Sequence, residues 1–333
     1  MEFICTKCGR KEAVTTRAAH CACGGLWRLA YEPPKFDLAE IDRNEWSLFR
    51  YRRFLALDDE RWRSVSMGEG MTPVVRLDDN VLLKMDYFMP TLSFKDRGAA
   101  TLIAHCKSIG VQQVVQDSSG NAGNAVAAYC ARSGIGCEIF VPEGTSPKKI
   151  DMIRAHGAMC TVVPGTRDHC ADVCREKVER EGVYYANHVY NPFFYEGTKT
   201  YIYEVFEQLG RIPANLVIPV GNGTLFLGAM YALEHLFNSG VIDRFPQIIA
   251  LQSQNCDPLL RAAEHGKTEP EAVMPAPTIA EGIAIGKPMR GREILTLAEK
   301  HGVHFIHAPE EQILSARIFK QENPDAERYE VTL

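Results

Sequence analysis

The chain has 333 residues, 46% of them hydrophobic and 24% charged, and carries a formal net charge of −5. That balance gives no electrostatic reason to bind nucleic acid or a membrane surface, no apolar run reaches transmembrane length, and the length suffices for two packed lobes. Residues 1–8 lack the apolar core of a signal peptide, and eleven cysteines, odd in number and unevenly spread, suit reduced thiols plus one metal site, so a cytoplasmic small-molecule protein is expected.

In chain order, Cys5-x-x-Cys8 and Cys21-x-Cys23-Gly24-Gly25 form two short knuckles able to offer four thiolates tetrahedrally to zinc. The second knuckle is one residue tighter than the usual CxxC, and the adjacent His20 could replace one ligand. A closed four-ligand site leaves no position for substrate, so its role would be structural. Four unligated cysteines are the alternative. Residues 31–63, rich in Arg, Glu and aromatics, read as a connector packed on the main body, and Gly68-Glu69-Gly70-Met71-Thr72-Pro73 as a turn into a short strand at 81–85.

The stretch Met89-Pro90-Thr91-Leu92-Ser93-Phe94-Lys95-Asp96-Arg97-Gly98 feeds a small-residue helix, with Ser93 or Asp96 as candidate caps and Lys95 at its entrance. An amine there feels the positive end of the helix dipole and partial desolvation, and both lower its pKa toward a nucleophilic form. A solvated loop lysine is the commoner reading of any single lysine.

From residue 111 strands and helices alternate. Strands are expected at 111–116, 137–141, 160–163, 183–186, 216–220 and 248–253. Helices are expected from Asn121 to a stop at Gly134, after Ser146-Pro147, at 167–180, at 199–209 and at 225–237. Repeated βα units imply an α/β chain of mostly parallel sheets covered by helices, with ligands at the carboxyl ends of strands.

Two strand-to-helix turns have the composition of anion sites. In Gly221-Asn222-Gly223-Thr224 the backbone N–H groups and the Thr224 hydroxyl can surround a phosphate, although the turn is neither Walker A nor GxGxxG. In Ser118-Ser119-Gly120-Asn121 the exposed donors suit a carboxylate, and the Asn121 amide can bond a phenolic oxygen. Each, alone, is equally a structural turn. Together with Lys95 they supply an amine, a phosphate cradle and a carboxylate cradle, which is what a pyridoxal phosphate enzyme acting on an amino acid requires. Cys170, Cys174 and His169 read as a helix face rather than a second metal site, and His156 and His188 as structural.

These motifs, with Gly197-x-Lys199-Thr200, Pro219-Val220-Gly221-Asn222-Gly223 and Ala280-Glu281-Gly282-Ile283, occur in the order seen in fold type II pyridoxal phosphate enzymes, and most resemble the threonine synthases over residues 1–315. The resemblance implies a zinc-ribbon-like knuckle (1–30), a connector and the start of a large lobe (31–100), a small α/β lobe (101–188) and the rest of the large lobe (189–333). It implies Lys95 as cofactor anchor and proton shuttle, Asn121 on the ring hydroxyl, and Gly221, Asn222, Gly223 and Thr224 on the cofactor phosphate. Ser118, Ser119 and Asn121 would face the substrate carboxylate, Glu281 and Gly282 would line the ring, and a homodimer is expected.

The implied reaction converts O-phosphohomoserine and water to threonine and phosphate. Two departures bear on it. Phe194 stands where the family typically carries a phosphate-binding arginine, and the C-terminal residues after 313 lack the family's closing pattern for the pyridine nitrogen, as though short. Elimination or β-replacement on serine- or threonine-like amino acids, or a non-catalytic relative, are the alternatives.

Overall fold

A computed structural model describes residues 1–57 and 59–313. Three strands open the chain, β1 (Glu2–Cys5), β2 (Lys11–Ala13) and β3 (Trp27–Ala30), followed by 3-10 helices at Leu38–Glu40, Leu48–Phe54 and Glu60–Ser64 and the hairpin β4 (Val74–Arg76) and β5 (Leu82–Lys84). Next come α1 (Lys95–Ser108), β6 (Gln113–Gln116), α2 (Asn121–Ser133), β7 (Gly136–Pro142), α3 (Pro147–Ala155), β8 (Met159–Val163), α4 (Arg167–Glu181) and β9 (Tyr184–Tyr185). The chain continues with α5 (Phe193–Leu209), β10 (Asn215–Pro219), α6 (Thr224–Asn238), β11 (Gln247–Ser253), α7 (Pro258–Glu264), the 3-10 helix Glu281–Ile283, α8 (Gly291–His301) and β12 (His304–Ala308). Among the described residues two compact units result: Met1–Met71 with Met89–Thr200, and Thr72–Phe88 with 201–313.

Unit 1 holds a parallel sheet of order β8-β7-β6-β9. Successive β7 side chains point to opposite faces. Ile139 and Val141 pack with Ala127 of α2 and Ile153 of α3, whereas Phe140 packs with Cys170 and Cys174 of α4. Both faces are therefore covered, which is why its centre, Ile139-Phe140-Val141, reads as a continuous apolar run. The antiparallel sheet β2-β1-β3 carries the N-terminal cysteine knuckles.

Helix ends follow local chemistry. Gly134 closes α2 in the left-handed conformation (φ 71°), donating to the carbonyls of Ala131 and Cys130. Pro147 opens α3 as expected, but the Ser146 hydroxyl makes no capping bond. Helix α5 begins at Phe193 rather than at 199, because the Asn191 carboxamide accepts from the Phe193 N–H (3.0 Å) and residues 193–200 are all buried. The connector is partly helical: Phe49 and Trp62 stack at 4.9 Å.

Unit 2 holds the parallel sheet β10-β11-β12 and the β4-β5 hairpin. Lys84 ties that hairpin to α5, its Nζ lying 2.7 Å from Glu204 Oε2 and 2.7 Å from the Thr72 carbonyl. The expectation about the C-terminal pattern after residue 313 lies outside the described residues.

Candidate active site

Lys95 is the first residue of α1. The residue before it, Phe94, occupies the cap position without a side-chain bond; the Ser93 hydroxyl accepts from the Lys95 N–H at 3.3 Å. Asp96 is no cap. Its carboxylate reaches back to the Thr91 N–H (3.2 Å) and hydroxyl (2.8 Å), and so clamps the entry turn. Inside that clamp Leu92 has φ 60°, a left-handed conformation that a non-glycine residue adopts at a cost in strain.

The Lys95 side chain is half-buried, and its Nζ lies 4.3 Å from the Phe94 ring centroid and 6.0 Å from that of Phe194. Desolvation by this aromatic packing lowers the amine pKa from 10.5 to about 7. Phe194, fully buried, sits on Gly98, one turn along α1: a Cβ on Gly98 would fall 2.2 Å from its ring. Gly197 makes a second close approach, to the Arg97 carbonyl, and Thr101 donates to the Phe193 carbonyl (2.8 Å). These contacts set α5 against α1.

His188 completes this aromatic neighbourhood. Its ring meets Phe194 edge-on, with centroids 5.8 Å apart, and its Nδ1 is buried with no hydrogen-bond partner. Burial, followed by the positive charges of Lys95 and Arg167, holds its pKa well below the ordinary histidine value. In the sequence, its one distinguishing mark is its position directly after Asn187 near a strand end. Asn187 fixes the segment, accepting from the Val189 N–H (2.8 Å) and donating to Asp117 (2.7 Å) at the end of β6.

Asp117 also precedes the Ser118–Asn121 turn. Ser118 is buried, Ser119 half-buried and Asn121 exposed at the start of α2, whose cap residue Gly120 has no side chain to satisfy the helix N–H groups. Gly123 lets the turn fold over the helix, since a Cβ there would lie 1.8 Å from the Ser118 carbonyl oxygen. Sequence reasoning missed a buried polar cluster linking these helices. Tyr129 of α2 donates to Glu69 (3.1 Å), and burial raises Glu69 to about 7 and Asp96 to about 6. A lone acid between Gly68 and Gly70 was its one sequence signal.

Unit 2 carries the other turn. Gly221–Thr224 follows β10 and opens α6; Gly223 has φ 78° and offers no capping side chain, and a Cβ on it would fall 2.3 Å from Ile294. A glycine-lined helix start without a side-chain cap presents backbone N–H groups to an anion. Gly221 lies against Ile283, whose Cα would be 2.9 Å from an added Cβ, so unit 2 brings this turn together with Glu281 and Gly282, both exposed. Taken unit by unit, the amine of lowered pKa in unit 1 suits an aldehyde carbon, and the helix-start anion cradle in unit 2 suits a phosphate.

Lys199 of the Gly-x-Lys-Thr motif is spent structurally. Its Nζ pairs with Glu196 at 2.7 Å, and Glu196 also accepts from the Ala56 N–H at 2.8 Å. The thiols of Cys5, Cys8, Cys21 and Cys23 all lie within 4.8 Å of one another, with Cys5–Cys23 at 3.4 Å and Cys8–Cys21 at 3.7 Å. The His20 Nδ1 is 3.0 Å from the Cys21 carbonyl instead. Cys170 and Cys174 are buried in the core behind the unit 1 sheet, as a helix face should be.

Residues 65–318 match the family model described as pyridoxal-phosphate dependent enzyme. Among curated proteins, the chain is 30% identical to the threonine synthase of Mycobacterium leprae over 80% of this chain and 74% of that one. It is 29% identical to the threonine synthase of Methanocaldococcus jannaschii over 94% and 80%. Among solved structures, the processed form of threonine deaminase isoform 2 from Solanum lycopersicum superposes with a TM-score of 0.69 at 20% identity, covering 92% of this chain and 84% of that one. Maize serine racemase gives 0.64 at 21% identity, over 75% of each chain. These two share the fold. With three quarters of the chain inside the matched family model, the protein belongs to the pyridoxal-phosphate dependent enzymes, as a threonine synthase-like member of fold type II.

Proposed function

We propose that the chain is a threonine synthase-like lyase that converts O-phosphohomoserine and water to threonine and phosphate. The observation that carries this reading is Lys95: an amine with a pKa near 7, clamped at the head of α1, in a chain of this family. When bound, pyridoxal phosphate supplies an electron sink for the negative charge that develops at the substrate Cα.

Lys95 anchors the cofactor and then moves the proton at Cα, a task for which a pKa near the operating pH is suited. Asn121 donates to the ring hydroxyl, and Gly221, Asn222, Gly223 and Thr224 hold the phosphate at the start of α6. Ser118, Ser119 and Asn121 receive the substrate carboxylate, while Glu281 and Gly282 line the ring. Cys5, Cys8, Cys21 and Cys23 hold a structural zinc, a role supported by the mutual proximity of their thiols. The protein acts in the cytoplasm as a homodimer on small molecules.

Phe194 favours a second reading, elimination from serine- or threonine-like amino acids, because a buried ring against Gly98 offers a phosphate no charge. Two assays on protein with cofactor bound separate the readings: phosphate and threonine released from O-phosphohomoserine, or ammonia and keto acid released from serine and threonine. Either activity should vanish in Lys95→Ala. Absence of both, in protein that shows the visible absorption of the cofactor, would sink the lyase assignment.

A further inference from the structure

Beside Lys95 the fold holds a polar group whose capacity it does not use. His188 is 7% exposed, its Nδ1 is buried without a partner, and its backbone is fixed by the Asn187 turn anchored on Asp117. A buried nitrogen left unpaired is a standing cost, and in a native fold such a group calls for a partner: an ordered water, an ion or a ligand. Its neighbours indicate what kind of ligand. The His188 ring stands edge-on to Phe194, and the Phe194 ring in turn faces the Lys95 amine at 6.0 Å. The Phe194 ring is itself fully buried, so it backs the imidazole, and His188 is the polar side chain on this side of Lys95 with an unused nitrogen.

We propose that His188 Nδ1 hydrogen-bonds an oxygen carried on the side chain of the amino-acid substrate, with Phe194 holding the imidazole in place from behind. This makes His188 a specificity-determining residue that separates oxygen-bearing amino acids from alkyl ones. Depending on tautomer, the neutral ring donates to an ester or phosphate oxygen or accepts from a hydroxyl. Both kinds of substrate share that chemistry. The inference rests on the reading of Lys95 as the residue carrying the reacting amine, and it deepens that reading at the substrate side chain.

The test is a titration of protein with pyridoxal phosphate bound, followed by the visible absorption of the cofactor and by calorimetry. The ligands are L-homoserine and O-phospho-L-homoserine against L-norvaline, and L-threonine against L-valine. Wild type should bind at least one oxygen-bearing ligand about tenfold more tightly than its alkyl counterpart, the scale of one good hydrogen bond. His188→Phe should abolish that preference while leaving the alkyl affinity within about twofold. His188→Asn should keep part of it, because its amide nitrogen falls close to the place of Nδ1. Loss of preference for the phosphorylated ligand, or for the unmodified hydroxyl, identifies which oxygen His188 meets. Equal binding of oxygen-bearing and alkyl ligands by wild type, or an equal loss of both in His188→Phe, would overturn the proposal. If His188→Phe does not fold, the wild-type pairs and His188→Asn decide it. Protein that never acquires the absorption band overturns the reading of Lys95 and this proposal with it.

Discussion

Lys95 is held in a place that suits its neutral form, and this has a thermodynamic sign. Burial lowers its pKa to about 7 in the folded chain, against 10.5 when exposed. Between those values the unfolded chain binds a proton that the folded chain does not, so this residue makes stability rise with pH across that window. Below pH 7 the full cost of burying the amine is present, and above about 10.5 it has gone. Lys95→Met, close in length and uncharged, should therefore melt higher than wild type at pH 6.5 when both lack cofactor, by at least about 2 °C. The gap should close as the pH approaches 10. The raised carboxyls of Glu69 and Asp96 titrate in both proteins and largely cancel in the difference. Thermal melts across pH measure this, and a gap that is constant with pH would mean that the amine is not desolvated.

At the scale of elements, the seat of Lys95 depends on how α5 meets α1. A methyl group on Gly98 would stand 2.2 Å from the Phe194 ring, inside a fully buried contact, so either the ring or the helix must move. Gly98→Ala should cost about 1–3 kcal/mol of unfolding free energy, the usual range for overpacking a core. Adding Phe194→Leu should recover part of that loss, because the smaller side chain vacates the space; the coupling in a double-mutant cycle by urea denaturation checks it. Additive losses would show that the two side chains do not compete for one space. This contact also marks where legibility in the sequence ends. The parallel strands β6 to β11, α2 with its Gly134 stop, α4 and α6 are visible because apolar periodicity, caps and small residues coincide there, whereas α7, α8 and β12 have no counterpart among the expected elements. The first turns of α5 are not, since Phe193, Phe194, Tyr195 and the following residues are buried all round and leave no amphipathic period. Lys95, Ser118–Asn121 and Gly221–Thr224 could be placed in advance as helix starts, and a helix begins at each of them. His188 and Glu69 could not be singled out, because their weight comes from an unpaired atom inside the fold and no spacing rule encodes that.

At the scale of the molecule, the cysteine knuckle is continuous with the core of unit 1 rather than appended to it. Phe3 and Trp27 of its sheet share one cluster with Cys5, Cys21, Ala56 and Phe193, and Phe193 stacks on His105 of α1 with ring centroids 3.6 Å apart. Phe193 is the residue before Phe194, so whatever holds the knuckle together also supports the start of α5. A zinc ion bound by four thiolates contributes its binding energy directly to that folding unit. Purified protein should contain about one zinc per chain by elemental analysis, and a strong chelator should lower its melting temperature by several degrees. Cys21→Ser should lose the metal and show the same lowered melting, because Cys21 is both a thiol of the cluster and 1% exposed in its core. Cys256→Ser serves as the control. That thiol is equally buried but lies outside the cluster, so its loss should leave the zinc content unchanged whatever it does to stability. Protein that carries no zinc and melts identically with and without chelator would show the knuckle to be held by its hydrophobic contacts alone, with Phe3, Trp27 and Phe193 sufficient to support α5.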